Sequence, residues 1–279
     1  MLDADTSTAM SASGSAGLGT LRGRIALVTG STSGIGLGIA TALARGGADI
    51  VLSGFGEPEA ISQLIADMSA QHRVRVIHSP ADLSKAGEVA RLVAAAGEAF
   101  GRVDILVNNA GVFHTGPVEK LTPEDWNATL AVNLTAAFLA TREALPGMKA
   151  RGWGRILNLA SALGLVGAPD ASAYAASKHG IVGLTRSVAL ETATHGVTVN
   201  AICPGYVRTP LIEREIAEAV RATGARPEDV VRGFLEAAQP SRRFVETREI
   251  GALAAFLCGD DAASITGAAI AIDGGWTAR

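Results

Sequence analysis

One glycine-rich segment constrains the fold of this chain more than any other feature. It reads Thr29-Gly30-Ser31-Thr32-Ser33-Gly34-Ile35-Gly36 and directly follows the apolar run Ile25–Thr29. Glycines at this spacing let the backbone turn sharply from a strand into a helix and come close to a pyrophosphate. The free N–H groups at the start of the helix, and its positive dipole end, favour that anion. The segment therefore predicts a dinucleotide site after the first strand.

Short apolar runs recur along the rest of the chain. They are Asp49–Ser53, Val74–His78, Ile105–Asn108, Arg155–Leu159, Val197–Ile202 and Ala268–Ile272. These runs show little polar alternation, which is typical of parallel strands buried on both faces. Segments with helical spacing separate them, without a linker or an internal repeat. We therefore predict one α/β domain over residues 21–279, a Rossmann doubly wound parallel sheet of about seven strands.

Several local signals predict where helices begin and end. Apolar residues recur at helical spacing over 88–100, and we expect Ser84 to cap that helix. Thr122, followed by a proline and two acids, predicts another helix start. The more charged stretch 206–245 breaks the alternation and is interrupted at Arg226-Pro227. It is predicted to form a helical lid over the substrate, with a solvated helical excursion as the alternative.

Composition excludes several classes of partner. The net charge is −3, so bulk charge does not attract a nucleic acid. No apolar run reaches the roughly 18 residues that span a bilayer. Residues 1–20 are rich in Ser, Thr, Ala and Gly and lack a basic start, so we expect a disordered extension rather than a secretory signal. Cys203 and Cys258 form neither a disulfide framework nor a metal-ligand spacing, which favours a reduced, cytoplasmic location and no metal.

A second group of residues indicates acid–base chemistry. Tyr174 and Lys178 are four residues apart, so on a helix both side chains point into one cleft. A tyrosine hydroxyl has a pKa near 10, and we expect the lysine ammonium, together with an oxidised nicotinamide, to lower it. Ser161, at the end of the fifth predicted strand, can donate a hydrogen bond to a carbonyl oxygen. With the glycine loop, these residues predict a nicotinamide-dependent oxidoreductase.

Two further strand ends are candidate parts of the nucleotide site. Asp82-Leu83 follows the third predicted strand, where the carboxylate can accept from an adenine amino group or serve a local helix cap. Asn109 and Gly111 end the fourth strand, within the segment Asn108–Gly111. Small residues and amides suit a chain that passes beside a nucleotide, and they also suit a stabilising polar turn.

The end of the second strand bears on the choice of cofactor. It reads Ser53-Gly54-Phe55-Gly56, without the acid that favours NAD or a base that favours NADP. Ser33 stands at the loop position where a cation could bind a 2′-phosphate. Because nothing there neutralises that phosphate, we expect NAD rather than NADP.

These motifs together resemble the short-chain dehydrogenase/reductases over residues 21–279. The shared positions are Thr29–Gly36, Asp82, Asn108–Gly111, Asn133, Ser161, Tyr174, Lys178 and Pro204-Gly205. The resemblance implies that Tyr174 is the general acid/base, that Lys178 binds the nicotinamide ribose, and that Ser161 orients the carbonyl. It implies that Asn133 holds a water that relays protons. It further implies that Val207 and Thr209 contact the nicotinamide carboxamide, and that the protein is a homotetramer.

Within that family the chain is most similar to bacterial 3-hydroxybutyrate dehydrogenases. The matching stretches are Gly30–Asp49, Ser53–Gly56, Ala201–Leu211 and Asp273–Arg279. The substrate positions depart from that subfamily, which holds a small carboxylate with glutamines, a histidine and a lysine. At the corresponding positions this chain has Phe113, Leu163, Ala171 and Glu215. The tryptophan expected after the Pro-Gly pair is Tyr206, and only Trp276 is kept.

A carboxylate leaving water needs a cation or several donors. Phe113, Leu163 and Ala171 offer neither, and Glu215 would repel an anion. The expected substrate is therefore a neutral secondary alcohol or ketone, including cyclic or aromatic ones. Lid arginines could still supply a cation, as could a histidine beside the aromatic position. The candidates are Arg208, Arg214, Arg242, Arg243 and His114.

Two other interpretations of the chain stay open at this point. The first is a true 3-hydroxybutyrate dehydrogenase. The second is a nucleotide-sensing protein on the same fold that does not turn substrate over. The presence of Tyr174, Lys178, Ser161 and Asn133 together favours an enzyme over a sensor.

Overall fold

The computed structural model describes residues 21–278, and within them one parallel sheet has the order β3-β2-β1-β4-β5-β6-β7. The strands are β1 (Ile25–Val28), β2 (Asp49–Ser53), β3 (Val76–Ser79), β4 (Ile105–Asn108), β5 (Gly154–Leu159), β6 (Val197–Pro204) and β7 (Ala269–Ile272). This arrangement confirms the predicted doubly wound α/β fold. The predicted disorder of residues 1–20 lies outside the described residues.

Helices cover both faces of the sheet. They are α1 (Gly34–Arg45), α2 (Pro58–His72), α3 (Ala86–Phe100), α4 (Pro123–Leu130), α5 (Ala136–Arg151), α6 (Ser172–Thr192), α7 (Pro210–Thr223), α8 (Pro227–Ala238) and α9 (Thr247–Cys258). Successive residues of β1 belong to opposite cores, because side chains alternate along a strand. Ala26 and Val28 pack with α1 and α9, whereas Ile25 and Leu27 pack with α3 and α5. No helix within the described residues is both long enough and apolar enough to cross a membrane.

Two local predictions are corrected. The third strand begins at Val76 rather than Val74, because the Arg75 N–H donates to the side-chain carboxylate of Asp49, at 2.8 Å, and not to a backbone carbonyl of β2. Ser84 does not cap α3, since its hydroxyl donates to Asp82 at 2.7 Å. The Thr122 cap is confirmed, and its oxygen accepts from the Asp125 N–H at 3.0 Å.

The strand order places two loops at the crevice where such folds bind ligands. The order reverses between β1 and β4, so the loops that follow these strands flank one opening at the carboxyl edge of the sheet. The helices predicted for the stretch 206–245 are also present, as α7 and α8 between β6 and α9, and this stretch is called the lid. Its two ends meet in an isolated parallel bridge between Val207 and Val245.

Candidate active site

The glycine loop depends on glycine for its backbone angles at Gly30 and Gly34, and for close contacts at Gly30 and Gly36. Gly30 and Gly34 have φ angles of 61° and 56°, a region that favours glycine. A Cβ at Gly30 would lie 2.9 Å from the Cα of Ala110. A Cβ at Gly36 would collide with the Gly30 carbonyl and lie 2.5 Å from the Asn109 amide nitrogen. The turn from β1 into α1 is therefore possible only with glycine at these places.

Polar side chains join the end of β4 to the same turn. The Asn109 side-chain amide donates to the carbonyls of Thr29 and Gly30, at 2.8 and 2.9 Å. The Thr29 hydroxyl accepts from the backbone N–H groups of Asn109 and Ala110, at 2.9 and 3.0 Å. Asn109 thus stabilises the polar turn, which is one of the two roles expected for it.

The start of α1 has the features that suit a pyrophosphate. Ser33 is exposed in an extended conformation, and its side chain makes no cap hydrogen bond, so the first N–H groups of α1 are not capped by it. Ile35 packs on the core behind the loop. The nearest atom to a Cβ at Gly34 would be the Thr209 methyl carbon, at 3.6 Å. The predicted contacts after β6 therefore reach the nucleotide loop, and these residues fit a dinucleotide.

The adenosine side of the site is more open. Phe55 is 69% exposed, and its carbonyl accepts from the Thr32 hydroxyl at 2.8 Å.

Asp82 accepts from the Ser84 N–H at 3.0 Å and pairs with Lys85 at 3.0 Å. The bonds from Ser84, followed by that from Lys85, lower the pKa of Asp82 to about 2. Leu83 packs against the core under β1 and α3. Asp82 therefore serves a local turn, although it does not cap the helix itself.

Tyr174 and Ser161 meet at the carboxyl end of β5. Burial raises the pKa of Tyr174, an interaction with the Ser161 hydroxyl acts in the opposite direction, and the negative charge of Glu215 raises it further. The predicted lowering of this pKa is thus wrong for the protein by itself, because burial is the largest cause. The Ser161 oxygen also accepts from the Leu163 N–H at 3.1 Å, which fixes its direction.

Lys178 is buried below Tyr174, as the helical spacing predicts. Its Nζ lies 5.5 Å from the centroid of the Tyr174 ring and donates to the Leu159 carbonyl at 2.7 Å. Burial lowers the pKa of Lys178 to about 8. A Cβ at Gly111 would lie 3.8 Å from this Nζ and 3.3 Å from the Oδ1 of Asn133. The structure therefore brings Gly111, Asn133 and Lys178 together.

Asn133 occupies an irregular turn of helix. It lies in a π-helical segment, Ala131–Thr135, between α4 and α5. Its side chain accepts from the Val112 N–H at 2.8 Å and donates to the Val112 carbonyl at 3.0 Å. It also donates to the Ser177 hydroxyl at 3.1 Å, and that hydroxyl donates to the Tyr174 carbonyl at 2.7 Å. The π segment thus turns a polar helix residue towards α6.

Three of the predicted substrate positions, one aromatic and two aliphatic, lie in the segments around Tyr174 and Ser161. The Phe113 ring meets the Tyr174 ring edge to face, with centroids 4.7 Å apart. Leu163 is buried two residues beyond Ser161, and Ala171 is buried just before α6, one helical turn ahead of Tyr174. None of the three offers a side-chain donor to an anion.

A second group of rings comes from the lid and the C-terminal segment. The Tyr206 ring lies 5.2 Å from Trp276 and 5.7 Å from Phe234, centroid to centroid. Glu215 on α7 is half-buried, and both burial and the charge of Glu218 raise its pKa. Glu215 in turn raises the pKa of Tyr206, after the larger effect of burial. This carboxylate is thus electrostatically coupled to both tyrosines.

Most of the lid cations are paired elsewhere. Arg208, Arg242 and Arg243 lie 3.5, 3.7 and 3.6 Å from the carboxylates of Glu213, Glu236 and Glu249. Arg214 is exposed on α7.

His114 is also bound away from Tyr174. Its Nδ1 lies 3.0 Å from the Thr129 hydroxyl, and its Nε2 lies 3.9 Å from Asp125. This histidine is therefore directed towards α4.

Sequence reasoning missed two residues that organise the site. Ser177 bridges Asn133 and the Tyr174 backbone. Its position between Tyr174 and Lys178 in the sequence could have indicated that it lies at the site. Gln239 is fully buried and accepts from the Tyr206 N–H at 2.7 Å. A glutamine at the end of a charged helix gave no sign of burial.

Comparison with known proteins places these features in context. A family model described as enoyl-(acyl carrier protein) reductase matches residues 30–277. The D-beta-hydroxybutyrate dehydrogenase of Rhizobium meliloti is 49% identical over 92% of this chain and 99% of its own length. The enzyme of that name from Cupriavidus necator is 51% identical over 93% of this chain and its whole length. A crystal structure of L-sorbose reductase from Gluconobacter frateurii, complexed with NADPH and L-sorbose, has a TM-score of 0.88 at 29% identity, and covers 94% of this chain and 98% of that one.

Proposed function

The chain belongs to the short-chain dehydrogenase/reductase family, and from this premise we propose that it interconverts a neutral secondary alcohol and its ketone. The observation that carries the proposal is the apolar and aromatic surround of Tyr174. Phe113 packs on the Tyr174 ring, and Leu163 adjoins Ser161. The charge of Glu215 reaches Tyr174 as well. A neutral substrate meets no penalty there, whereas an anion would lose its water without gaining a partner.

The roles of the chain's own residues follow from their positions. A nicotinamide, when bound along Gly30–Gly36, supplies the acceptor or donor of hydride. Because its pKa is raised, the Tyr174 hydroxyl holds its proton at neutral pH and can donate it to the ketone oxygen. In the opposite direction the hydroxyl first passes its own proton towards solvent, and the phenolate that remains accepts the proton of the alcohol. Ser161 donates a hydrogen bond to the same oxygen, where negative charge develops.

Lys178 and Asn133 are proposed to bind the nicotinamide ribose and to carry protons to solvent. The Lys178 ammonium is held on the Leu159 carbonyl and is within reach of Gly111, next to the proposed nicotinamide ribose. We propose that Asn133, which lies beside Gly111 and Ser177, completes a proton path from Lys178 towards solvent.

NAD is the proposed cofactor, with the remaining contacts along the carboxyl edge of the sheet. The proposed contacts include Ser33, Gly34, Ile35, Phe55, Asp82, Leu83, Asn109, Pro204, Gly205, Val207 and Thr209. The absence of a basic residue at Ser33 and along Ser53–Gly56 supports NAD, since a 2′-phosphate would find no cation at either place. The NADPH in the L-sorbose reductase structure is a property of that protein.

A second candidate function is the oxidation of 3-hydroxybutyrate. The 49% and 51% identity to two D-beta-hydroxybutyrate dehydrogenases favours it. Arg214, the exposed lid arginine next to Glu215, is the cation that could then bind the carboxylate.

We further propose a homotetramer in the reducing cytoplasm. Leu190 on α6 is 82% exposed, and Phe138 on α5 and Phe256 on α9 are about half exposed, which supports burial against other copies of the chain. Both cysteines are buried and unpaired, in keeping with a reducing compartment. Analytical ultracentrifugation should give four times the 28.4 kDa mass of one chain, and a monomer would refute the assembly.

Tyr174→Phe tests the function most simply. It removes the hydroxyl but keeps the ring that packs on Phe113. We expect turnover to fall by about 10³-fold or more, while the Kd for NAD changes by less than about 3-fold. Unchanged turnover would refute the mechanism, and equal loss of turnover and of NAD binding would point to a structural role.

A further inference from the structure

Gln239 is a buried polar residue that the proposed mechanism does not use. It directly follows α8, and its side chain is 0% exposed. Its Oε1 accepts from the Tyr206 N–H at 2.7 Å, while its Nε2 donates to the Arg243 carbonyl. One amide thus links the strand end that carries Tyr206 to the chain that leaves the lid.

The neighbouring backbone leaves space for this amide at two glycines. A Cβ at Gly205 would lie 2.5 Å from the Gln239 Oε1 and 2.9 Å from the Asp273 Cα. A Cβ at Gly274, whose φ is 60°, would lie 2.7 Å from the Gln239 Cγ. Gln239 is therefore enclosed between the end of β6 and the C-terminal segment.

That C-terminal segment carries Trp276 in a fixed turn. The Asp273 carboxylate accepts from the Gly275 and Thr277 N–H groups, at 3.0 and 2.9 Å. The Gly274 carbonyl accepts from the Ser241 N–H at 2.9 Å, which joins the turn to the residues just after Gln239. Gln239 thus contacts both backbones whose rings, Tyr206 and Trp276, pack 5.2 Å apart.

We propose that Gln239 is a positioning residue that sets substrate selectivity by holding the Tyr206–Trp276 pair against the lid. Breaking either hydrogen bond would leave a buried polar group without a partner, which destabilises the folded protein. The amide therefore resists displacement of Tyr206 relative to Arg243. The Gln239 Cγ also lies beside Gly274, two residues before Trp276, so the side chain adjoins the turn that carries this ring. This inference rests on the proposed oxidoreductase function, in which these rings form the wall of the substrate pocket.

Gln239→Leu removes both hydrogen bonds at similar volume and is the main test. With the best neutral alcohol, we expect the KM to rise by about 10-fold or more, with kcat within about 3-fold and the Kd for NAD within about 2-fold. Gln239→Glu keeps the acceptor for Tyr206, and the expected rise in KM is smaller. Gln63→Leu makes the same change at an exposed position on α2, where the amide donates to Asp67 at 2.7 Å, and as the matched control it should change neither constant.

A double-variant cycle separates positioning from general stability. If Gln239 acts through the ring pair, its effect on KM should largely vanish in a Trp276→Leu background. Near-ultraviolet circular dichroism gives a readout that needs no activity. The difference between wild type and Gln239→Leu should disappear when Trp276 is absent.

Other outcomes would overturn the proposal. An active Gln239→Leu with unchanged KM would do so, as would effects that add fully to those of Trp276→Leu. If Gln239→Leu does not fold, Gln239→Glu decides by the same criteria. If the wild-type protein turns over no alcohol, the proposed function fails, while the dichroism cycle still tests whether Gln239 orders Trp276.

Discussion

The glycine loop and the substrate side differ in which part of the chain makes the contacts. In the loop, neighbouring atoms lie within 3 Å of where a Cβ of Gly30 or Gly36 would be. On the substrate side, Phe113, Tyr206 and Trp276 contact their neighbours through their rings. The first region is specified by backbone geometry and by side chains that bond to backbone, such as Asn109. The second is specified by side chains that can be exchanged while the backbone keeps its course. The shape of the glycine loop is therefore predictable from motifs in this chain, whereas a substrate can be inferred only from the individual side chains.

The same contrast explains what the sequence could predict. The predicted bounds of all seven strands agree with the structure to within two residues, because a short apolar run is typical of a strand buried on both faces. The proximity of Tyr174, Lys178 and Ser161 followed from helical spacing and from the meeting of strand ends. The raised pKa of Tyr174, the burial of Gln239 and the direction of His114 depend on contacts between distant segments. Periodicity contains no information about such contacts.

The largest difference between the two regions is expected when a glycine of each is replaced by alanine. Gly36→Ala places a Cβ against the Gly30 carbonyl. The free energy of NAD binding should fall by about 1 to 3 kcal/mol, which is a roughly 5- to 150-fold higher Kd. Gly233→Ala in α8 has nothing within 4 Å of the new Cβ and should stabilise its helix by up to about 1 kcal/mol. Isothermal titration with NAD, with thermal melting of both variants, checks the pair. Equal effects at the two sites would contradict the account.

A smaller effect is expected from restoring polar side chains to the substrate wall. Leu163→His combined with Phe113→Gln supplies donors beside Ser161 and Tyr174, so kcat/KM for 3-hydroxybutyrate should rise by about 10-fold. The KM for NAD should stay within about 2-fold, because the nucleotide loop is untouched. Steady-state kinetics of the double variant and of each single variant measure this. No gain on 3-hydroxybutyrate would mean that these positions do not line the pocket.

The smallest effect concerns stability, at the residue that lies between the two regions. Burial lowers the pKa of Lys178 from 10.5 to about 8, so the buried charge destabilises the folded protein relative to the unfolded chain. Lys178→Met should therefore raise the free energy of unfolding at pH 7 by about 1 to 3 kcal/mol, even as turnover is lost. Denaturant titration at several pH values measures the gain.

The pH dependence of that gain provides the control. Between pH 8 and about 10 the unfolded chain binds a proton at Lys178 that the folded chain does not, so the stability contributed by this position rises with pH in the wild type. The advantage of Lys178→Met should accordingly shrink over that window. A variant less stable than wild type at pH 7 would show that the hydrogen bond to Leu159 outweighs the cost of burial.

The most direct test of the account is the rate at which the purified protein forms reduced nicotinamide from NAD. (R)-3-hydroxybutyrate should be compared with a panel of neutral secondary alcohols, cyclic and aromatic ones included, and each assay repeated with NADP. Rapid turnover of neutral alcohols with NAD and little on the acid is the predicted result. Efficient turnover of 3-hydroxybutyrate would contradict the apolar pocket, and a lid arginine such as Arg214 would then be the first residue to test for binding of the carboxylate.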